Sequence, residues 1–281
     1  MAEPITFTPL YNEDSDCFDL HAYHCGFLRN HTEFLHVKTT QGLVEVGAFR
    51  EGSFVVLFSV ALSESSALHA FDYESSTICV YKKGDPEGIV IMCELGEDET
   101  PVFTSKMVSA PSNSLKLLHC SRTKGPFWLC PQPNSPVNRE IKNHDKVVTT
   151  YLTPDSLEYQ LISDDFFVIT SQYSTVMSTV HIYSIGADSS FSFLRTIPFP
   201  FGISLAHKAA GNRIVVIGQS KGAVIDCSTS EVRVFDCTIP YGYRKGSASR
   251  FLEDGSLEIT VAYKDQGADF MRLCRGKMNL S

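Results

Sequence analysis

Three short runs rich in β-branched residues follow one another near the C-terminus: GNRIVVIG at 211–218, GAVIDCS at 222–228 and EVRVFDC at 231–237. Each run has the length and composition of a β-strand. The segments that separate them are only a few residues long and are rich in Ser, Thr and Gly, as tight hairpin turns require. This stretch therefore predicts an antiparallel meander of consecutive strands.

The same pattern recurs elsewhere in the chain, in DDFFVITSQ at 164–172, GSLEITVAY at 255–263 and GSFVVLFSVAL at 52–62. When we align the runs as first strands, Val168, Val215 and Ile259 become equivalent and are 47 and 44 residues apart. A unit of about 40–45 residues with four short strands is typical of a propeller blade. A chain of 281 residues then has room for six or seven such blades.

No stretch of a dozen residues shows helical periodicity together with helix caps, so α/β folds are excluded. We predict an all-β fold, a six- or seven-bladed β-propeller of four-stranded antiparallel blades, that forms a single domain over 1–274. RGKMNLS at 275–281 lacks strand alternation and is predicted to be a C-terminal extension. ITFTPL at 5–10 is expected to supply the strand that completes the last blade.

Two segments, VRVFDC at 232–237 and LHAFDY at 68–73, resemble the third-strand signature of WD-repeat propellers. Phe235 and Phe71 stand where that family has Trp, and the family's Gly-His and Trp-Asp dipeptides are missing. TVHIYSIGADSSFSFLRTI at 179–197 likewise resembles a third strand, a turn and a fourth strand of one blade. The resemblance implies a propeller and, through the fold alone, an interaction protein.

The composition limits the cellular setting. No apolar run is long enough to cross a membrane, and the N-terminus has no basic start followed by an apolar core. The nine cysteines are scattered and odd in number, which favours reduced thiols over a disulfide framework. We therefore expect a cytoplasmic protein, with a nuclear location also possible, and no membrane partner.

Motifs for catalysis are absent or fail in context. GQSKG at 218–222 matches the G-x-S-x-G nucleophile elbow, but strand-like runs flank it on both sides, whereas the elbow needs a following helix. All nine histidines precede Ser220, and the hydrolase fold places its histidine after the serine. We interpret GQSKG as a hairpin loop, and we expect a protein that is not an enzyme.

A cluster of six Cys and His side chains could supply zinc ligands: Cys17, His21, His24, Cys25, His31 and His36. It contains no C-x2-C pair, and two adjacent members point to opposite sides of a strand. Ordinary placement in an N-terminal blade is the favoured interpretation, so no metal and no cofactor are expected. A zinc-stabilised module remains the open alternative.

The net charge of −8 is unevenly distributed. Residues 1–100 carry 17 acidic and 5 basic side chains, a balance of −12, and residues 101–281 carry 15 acidic and 19 basic, a balance of +4. Basic groups next to aromatic side chains suit contacts with RNA. The candidate RNA-binding or partner-binding residues are Arg272, Arg275, Lys277, Tyr243, Arg244 and Lys245. A charged surface that merely averages out is the simpler alternative.

Together these observations predict a non-enzymatic scaffold that docks within a large macromolecular assembly. The sharper form of this hypothesis is a ribonucleoprotein such as the ribosome, where the propeller body meets protein subunits and the basic C-terminal tail contacts RNA. The competing class is a propeller enzyme or small-ligand binder that uses the axial channel. Polar, convergent side chains on the inner strands would favour that class.

Overall fold

The protein is described by a computed structural model. It describes residues 5–9, 18–19, 23–29, 31–40, 42–50, 53–62, 68–72, 75–81, 86–121, 123–135, 137–144, 146–152, 158–174, 176–238, 243–264 and 270–279. Across these ranges the regular structure consists of strands, with no helix. The described residues accordingly include no helix that is long and apolar enough to cross a membrane.

The strands form six antiparallel sheets, which we number as blades in chain order. Blade 1 contains β4 (Tyr23–Leu28), β5 (His31–Thr40), β6 (Leu43–Arg50) and β7 (Ser53–Ala61). Blade 2 contains β8 (Leu68–Asp72), β9 (Thr77–Tyr81), β10 (Glu87–Leu95) and β11 (Pro101–Ser109). Blade 3 contains β12 (Lys116–Ser121), β13 (Gly125–Pro131), β14 (Asn138–Asn143) and β15 (Lys146–Leu152).

The remaining blades follow the same order. Blade 4 contains β16 (Glu158–Ile162), β17 (Phe166–Ser174), β18 (Met177–Ile185) and β19 (Phe191–Phe199). Blade 5 contains β20 (Leu205–Ala209), β21 (Arg213–Ile217), β22 (Lys221–Asp226) and β23 (Val232–Thr238). Blade 6 contains β24 (Tyr243–Phe251), β25 (Leu257–Lys264), β26 (Phe270–Met278) and the N-terminal strand β2 (Thr8–Pro9).

The fold is therefore an all-β, six-bladed propeller of WD-repeat-like architecture, and the seven-bladed alternative is wrong. The chain divides into two compact units. Unit 1 comprises 1–27, 32–65 and 203–281, with blades 5, 6 and most of blade 1, and unit 2 comprises 28–31 and 66–202, with blades 2, 3 and 4. The single domain predicted for 1–274 stays a prediction.

The predicted repeat period is confirmed, but its starting point is wrong. Val168, Val215 and Ile259 lie in β17, β21 and β25, which are the second strands of their blades. The first strands of blades 4 and 5 have only five residues and alternate apolar with polar side chains, as in LAHKA of β20. Such short, mixed runs lack the apolar signal by which the second strands are recognised.

The segments that resemble WD repeats also shift within their blades. VRVFDC lies in β23, the fourth strand of blade 5, and LHAFD forms β8, the first strand of blade 2, so neither is a third strand. The segment 179–197 does cover the third and fourth strands of blade 4, as predicted. The short apolar-x-apolar pattern fits any strand of a blade, whereas a longer segment with its turn fixes the position.

One type of turn recurs in the hairpins. In the turn at 96–100, Oδ1 of Asp98 accepts hydrogen bonds from the backbone N–H and the hydroxyl of Thr100, and Glu99 between them adopts a left-handed φ of 62°. Asp188 and Ser190 repeat this arrangement in the turn at 186–190. These hydrogen bonds hold the pKa of each aspartate below its usual range. The acidic turns are thus locked hairpin connections.

The N-terminal segment completes unit 1, and we call residues 5–9 the strap. β1 (Ile5–Thr6) pairs in parallel with β23 of blade 5, and β2 pairs antiparallel with β26 of blade 6. Ile5 and Phe7 are buried in the core that these two blades share. The prediction that 5–10 supplies the strand that completes blade 6 is confirmed by β2. The strap also adds a strand, β1, to blade 5. A further two-residue strand, β3 (Phe18–Asp19), also pairs with β26.

The predicted C-terminal extension is wrong for most of its length. β26 continues to Met278, and Cys274 and Met278 are buried in the core of unit 1. The buried positions 274, 276 and 278 alternate with Arg275 and Lys277 along this strand, and these two basic side chains gave the segment the composition of a tail.

Candidate interaction surface

All six predicted basic and aromatic site residues belong to blade 6. Tyr243, Arg244 and Lys245 lie on β24, and the other three lie on β26. Arg244 and Arg272 both pair with Tyr263 of the intervening strand β25, so their backbones occupy the same row of the sheet. The side chains of Arg272 and of the β24 residues lie outside the described part of the structure. The sheet thus brings together two segments that are distant in the sequence.

The two remaining cations of β26 sit beside carboxylates. Nη1 of Arg275 lies 3.5 Å from Oε2 of Glu258, and Nζ of Lys277 lies 2.6 Å from Oδ2 of Asp254. The hydrogen bond from Lys277 holds the pKa of Asp254 well below its usual range. The Lys277–Asp254 pair is exposed on both sides, where such pairs are weak and exchange readily, whereas Glu258 is buried and also accepts a hydrogen bond from Nε of Arg250. Each cation therefore remains accessible to a polyanion only in competition with its own partner.

The Cys and His cluster is only partly described. Cys17 and His21 lie outside the described residues, and His24, Cys25 and His31 are described by backbone alone, on β4 and β5. His36 on β5 is fully buried, and burial lowers its pKa to about 3, so it stays neutral. Within the described ranges no three His, Cys, Asp or Glu side chains are grouped as a metal site requires.

GQSKG forms a hairpin, as predicted. β21 ends at Ile217 and β22 begins at Lys221, and the N–H of Gly218 donates to the carbonyl of Lys221 at 2.7 Å. A strand follows Ser220 where a nucleophile elbow needs a helix.

A buried chain of side chains links the three blades of unit 2. His119 on β12 is almost fully buried, with Nδ1 against Oδ2 of buried Asp72 on β8. Its Nε2 lies 2.9 Å from Oδ1 of Asp164, in the turn that precedes β17. The hydrogen bond from His119 is the main cause of a lowered pKa at Asp164. Both ring nitrogens thus face carboxylates of neighbouring blades, which leaves neither nitrogen open to a substrate.

This polar chain was missed by sequence reasoning. Asp72, His119 and Asp164 lie in the sequence segments FDY, LLHC and SDD, and consecutive members are about 45 residues apart. The ring of Phe127 stacks on His119 at 6.1 Å, and the Nζ of Lys124 donates to the carbonyl of Asp164. The only available signal was a histidine inside an otherwise apolar strand, together with an acidic residue at the blade spacing on either side.

Unit 1 has a cavity of about 400 Å³ between blades 5 and 6, lined by Arg213, Val224, Asp226, Glu231, Arg233, Phe251 and Gly255. The Arg213 guanidinium lies 4.7 Å from the Phe251 ring centroid and 3.6 Å from Asp226. Arg233 and Glu231 form a second ion pair at 3.0 Å. Two cations and two anions balance, so the cavity has no net charge with which to select a ligand.

The outer strands of unit 2 expose apolar side chains. On β19, Phe193 is 58% exposed and Leu194 is 47% exposed, and on β11, Val102 and Met107 are exposed to a similar degree. In the part of the chain that the structure describes, β11 pairs only with β10, and β19 pairs only with β18. Apolar groups on an unpaired strand edge mark a contact surface. These two strands are therefore the candidate interaction surface.

The two outer strands differ in regularity. β11 pairs with β10 over nine consecutive residue pairs without a break. β19 has a bulge between Phe193 and Arg195, and Pro198 removes one N–H from its outer edge. A bulge and a proline disrupt further strand pairing. β11 thus presents the more regular edge.

No family model matches this chain, and no curated protein matches it. Solved structures of similar fold include a functionally unknown protein from Desulfotomaculum acetoxidans (12% identity, 83% of this chain and 76% of that chain, TM-score 0.49) and Hsv2p from Kluyveromyces lactis (10%, 94% and 75%, 0.49). A chain of the mitotic checkpoint complex is similar at 10% identity over 98% of this chain and 91% of that chain, with a TM-score of 0.47. These similarities concern the fold, and the function rests on the residues of this chain.

Proposed function

We propose that this propeller is a non-enzymatic interaction protein, a rigid scaffold within a larger assembly. The observation that carries the proposal is the exposure of apolar side chains on the unpaired outer strands of unit 2, with Phe193 and Met107 as the most exposed of their strands. Exposed aromatic and Met side chains are enriched in the cores of protein interfaces. The buried His119 supports the non-enzymatic part of the proposal, because both of its ring nitrogens contact carboxylates of neighbouring blades.

Size-exclusion chromatography and chemical cross-linking of the native protein in a gentle lysate test this function. We expect the chain to migrate with defined protein partners. The double variant Phe193→Ser and Met107→Ser should lose those partners while it still unfolds cooperatively. Migration near 31 kDa before and after cross-linking would contradict the proposal.

The finer hypothesis is docking on a ribonucleoprotein such as the ribosome, with Arg272, Arg275 and Lys277 on RNA. It is supported by their common position on β26 and by the solvent exposure of Arg275 and Lys277. Sedimentation with and without ribonuclease tests it. Heavy fractions that collapse after nuclease treatment, and that are lost in Lys277→Glu, would support RNA contact. If the protein stays in heavy fractions after nuclease treatment, the RNA contact is excluded and the protein-scaffold function is retained.

We place the protein in the cytoplasm or nucleus. The seven cysteines whose side chains are described, such as Cys120 and Cys227, form no disulfide and are buried in the blades. Burial raises the pKa of Cys227 to about 12 and that of Cys93 to about 11, so these thiols are protonated and inert. Such cysteines suit a reducing compartment.

A further inference from the structure

The outer strand β11 has an edge that is open along its length. The N–H of Gly96 donates to the carbonyl of Thr100 at one end of the β10–β11 hairpin, and the N–H of Ala110 donates to the carbonyl of Pro86 at the other, each at 2.8 Å. Hydrogen-bonded and non-hydrogen-bonded pairs alternate between antiparallel strands. The backbone N–H and C=O groups of Ser105, Met107 and Ser109 therefore point away from β10, toward the edge.

The chain itself shows what such an edge can accept. In blade 5 the equivalent outer strand β23 is extended by β1, a strand from a distant part of the sequence, which pairs Ile5 with Cys237 and Thr6 with Thr238. The outer strand of a blade in this protein can therefore pair with an added extended segment. Among the described residues, β11 has no such additional strand.

The surroundings of β11 are acidic. The hairpin at 87–109 carries five acidic side chains and one basic, Lys106, a balance of −4. Glu87 and Glu94 are exposed on β10, opposite Ser109 and Val102, and the remaining three acids lie in the turn at 96–100. A field of one sign attracts the opposite charge and repels a like surface. A second copy of this chain, with its net charge of −8, would bring a second acidic hairpin to the same edge.

We propose that β11 is a docking site for a basic, extended segment of a partner protein, which adds as a fifth strand to blade 2. The backbone groups of Ser105 and Met107 supply the hydrogen bonds, and the apolar side chains on one face of the segment pack on Met107. Its Lys or Arg side chains lie on the opposite face, where they pair with Glu94, the residue opposite Val102. This is strand addition at a sheet edge. The inference rests on the scaffold function, for which it names the partner's chemistry.

The test uses the full chain and synthetic nonapeptides in which Val alternates with Lys. Binding is measured by fluorescence anisotropy at two salt concentrations. Two control peptides are used: one carries Glu in place of Lys, and the other keeps the Lys–Val sequence with alternate backbone nitrogens methylated. We expect only the unmodified Lys–Val peptide to bind, more weakly at high salt because exposed charges are screened. Equal binding of the methylated peptide would overturn strand addition and leave a purely ionic contact.

The matched variants are Ser105→Pro and Ser105→Ala. Proline removes the outward N–H and crowds the edge without breaking a bond to β10, so we expect at least about a tenfold loss of peptide affinity. Alanine keeps the N–H and should bind as the native chain does. Equal affinity of the two variants would overturn the proposal.

Amide hydrogen exchange of the native chain gives a readout that needs no variant. Adding the Lys–Val peptide should slow exchange at Ser105, Met107 and Ser109 and leave Thr196 on β19 unchanged. Protection elsewhere would overturn the site on β11 while leaving the scaffold function intact. Absence of peptide binding would overturn this inference alone, because the cross-linking experiment tests the scaffold function with its natural partners.

Discussion

The two units of the molecule hold their blades together in different ways. In unit 1 the strap runs along the outer edges of blades 5 and 6, and Ile5 and Phe7 fill the core between them. In unit 2 the link lies inside, where His119 joins Asp72 and Asp164 across three consecutive blades. The strap covers the strand edges with which it pairs, whereas the contacts of His119, which we call the inner tie, leave the outer strand edges exposed. The strap thus covers the outer edges of blades 5 and 6, whereas β11 and β19 of unit 2, which form the candidate interaction surface, have no added strand among the described residues.

The largest expected effect comes from removing the two apolar anchors of the strap, in the double variant Ile5→Ala and Phe7→Ala. Each truncation of a buried side chain of this size costs about 2–5 kcal/mol, so the pair approaches the total stability of a typical domain. We expect the unfolding transition, measured by circular dichroism, to lose its cooperativity. A double variant that unfolds like the native chain would show that the strap does not hold blades 5 and 6.

Gly276→Val is an independent way to break the strap. A Cβ at this position would overlap the side chain of Ile5, and Phe7 lies just beyond it. We expect the strap to be displaced, with a loss of about 2–4 kcal/mol because Ile5 leaves the core. Gly255→Ala is the control for the loss of a glycine, because nothing surrounds its Cβ position, although its φ of +77° adds some backbone strain. A Gly276→Val variant as stable as the native chain would contradict the observed packing.

The inner tie of unit 2 is broken by His119→Ala. Buried Asp72 would then lose its contact with the imidazole, and removing one member of a buried charge pair costs about 3–5 kcal/mol. We expect a lower midpoint in urea unfolding and an unchanged slope. The conservative variant His119→Asn keeps a polar group and should recover part of this loss. If alanine were tolerated without loss, His119 would not link the blades.

Acid should weaken the same tie. The folded-state pKa of Asp164 lies below its ordinary value, so its contribution to stability is present above about pH 4 and is lost as the pH falls through the lowered folded pKa. Asp164→Asn should cost about 1 kcal/mol at neutral pH, since the side chain is about half exposed. The difference from the native chain should shrink as the pH falls below about 4. A difference that is constant with pH would rule out this ionic contribution.

The smallest effect is expected at the uncovered edges. Ser105→Ala replaces an exposed side chain and should change stability by less than about 0.5 kcal/mol. Phe193→Ser also removes an edge-to-face contact with Tyr183 at 5.5 Å, so its effect should be about 1 kcal/mol. Urea unfolding checks this expectation. A destabilisation comparable to that of the strap variants would mean that the edge side chains support the fold and are not kept for binding.

The fold class followed from the sequence because the second strands of several blades are long apolar runs of constant spacing, as at Val168, Val215 and Ile259. The strap was predicted from ITFTPL, because a closed propeller needs a strand from the opposite terminus. The blade count stayed open between six and seven, since short first strands such as β20 carry a weak pattern. The end of β26 was missed because beyond Cys274 two of the four strand positions are the cations Arg275 and Lys277, and only Met278 is a large apolar residue.

The site was much less predictable. Sequence reasoning grouped the cations of blade 6 by composition, but the carboxylates that pair with Arg275 and Lys277 come from other strands and turns. The chain through His119 joins residues that lie about 45 positions apart, and only the stacking of blades brings them together. Which strand edges stay open depends on the path of the strap, a long-range feature that no local pattern contains.

The central claim is that the outer edge is covered in blades 5 and 6 of unit 1 and open on β11 of unit 2, and amide exchange of the free native chain tests it most directly. On β23 the N–H of Cys237 donates inward, to the carbonyl of Ser220. Alternation therefore directs the N–H of Thr238 outward, toward β1. We predict slow exchange at Thr238 and fast exchange at Ser105 and Met107 on β11. Similar protection at all three amides would contradict the account, because it would mean that both edges are equally covered.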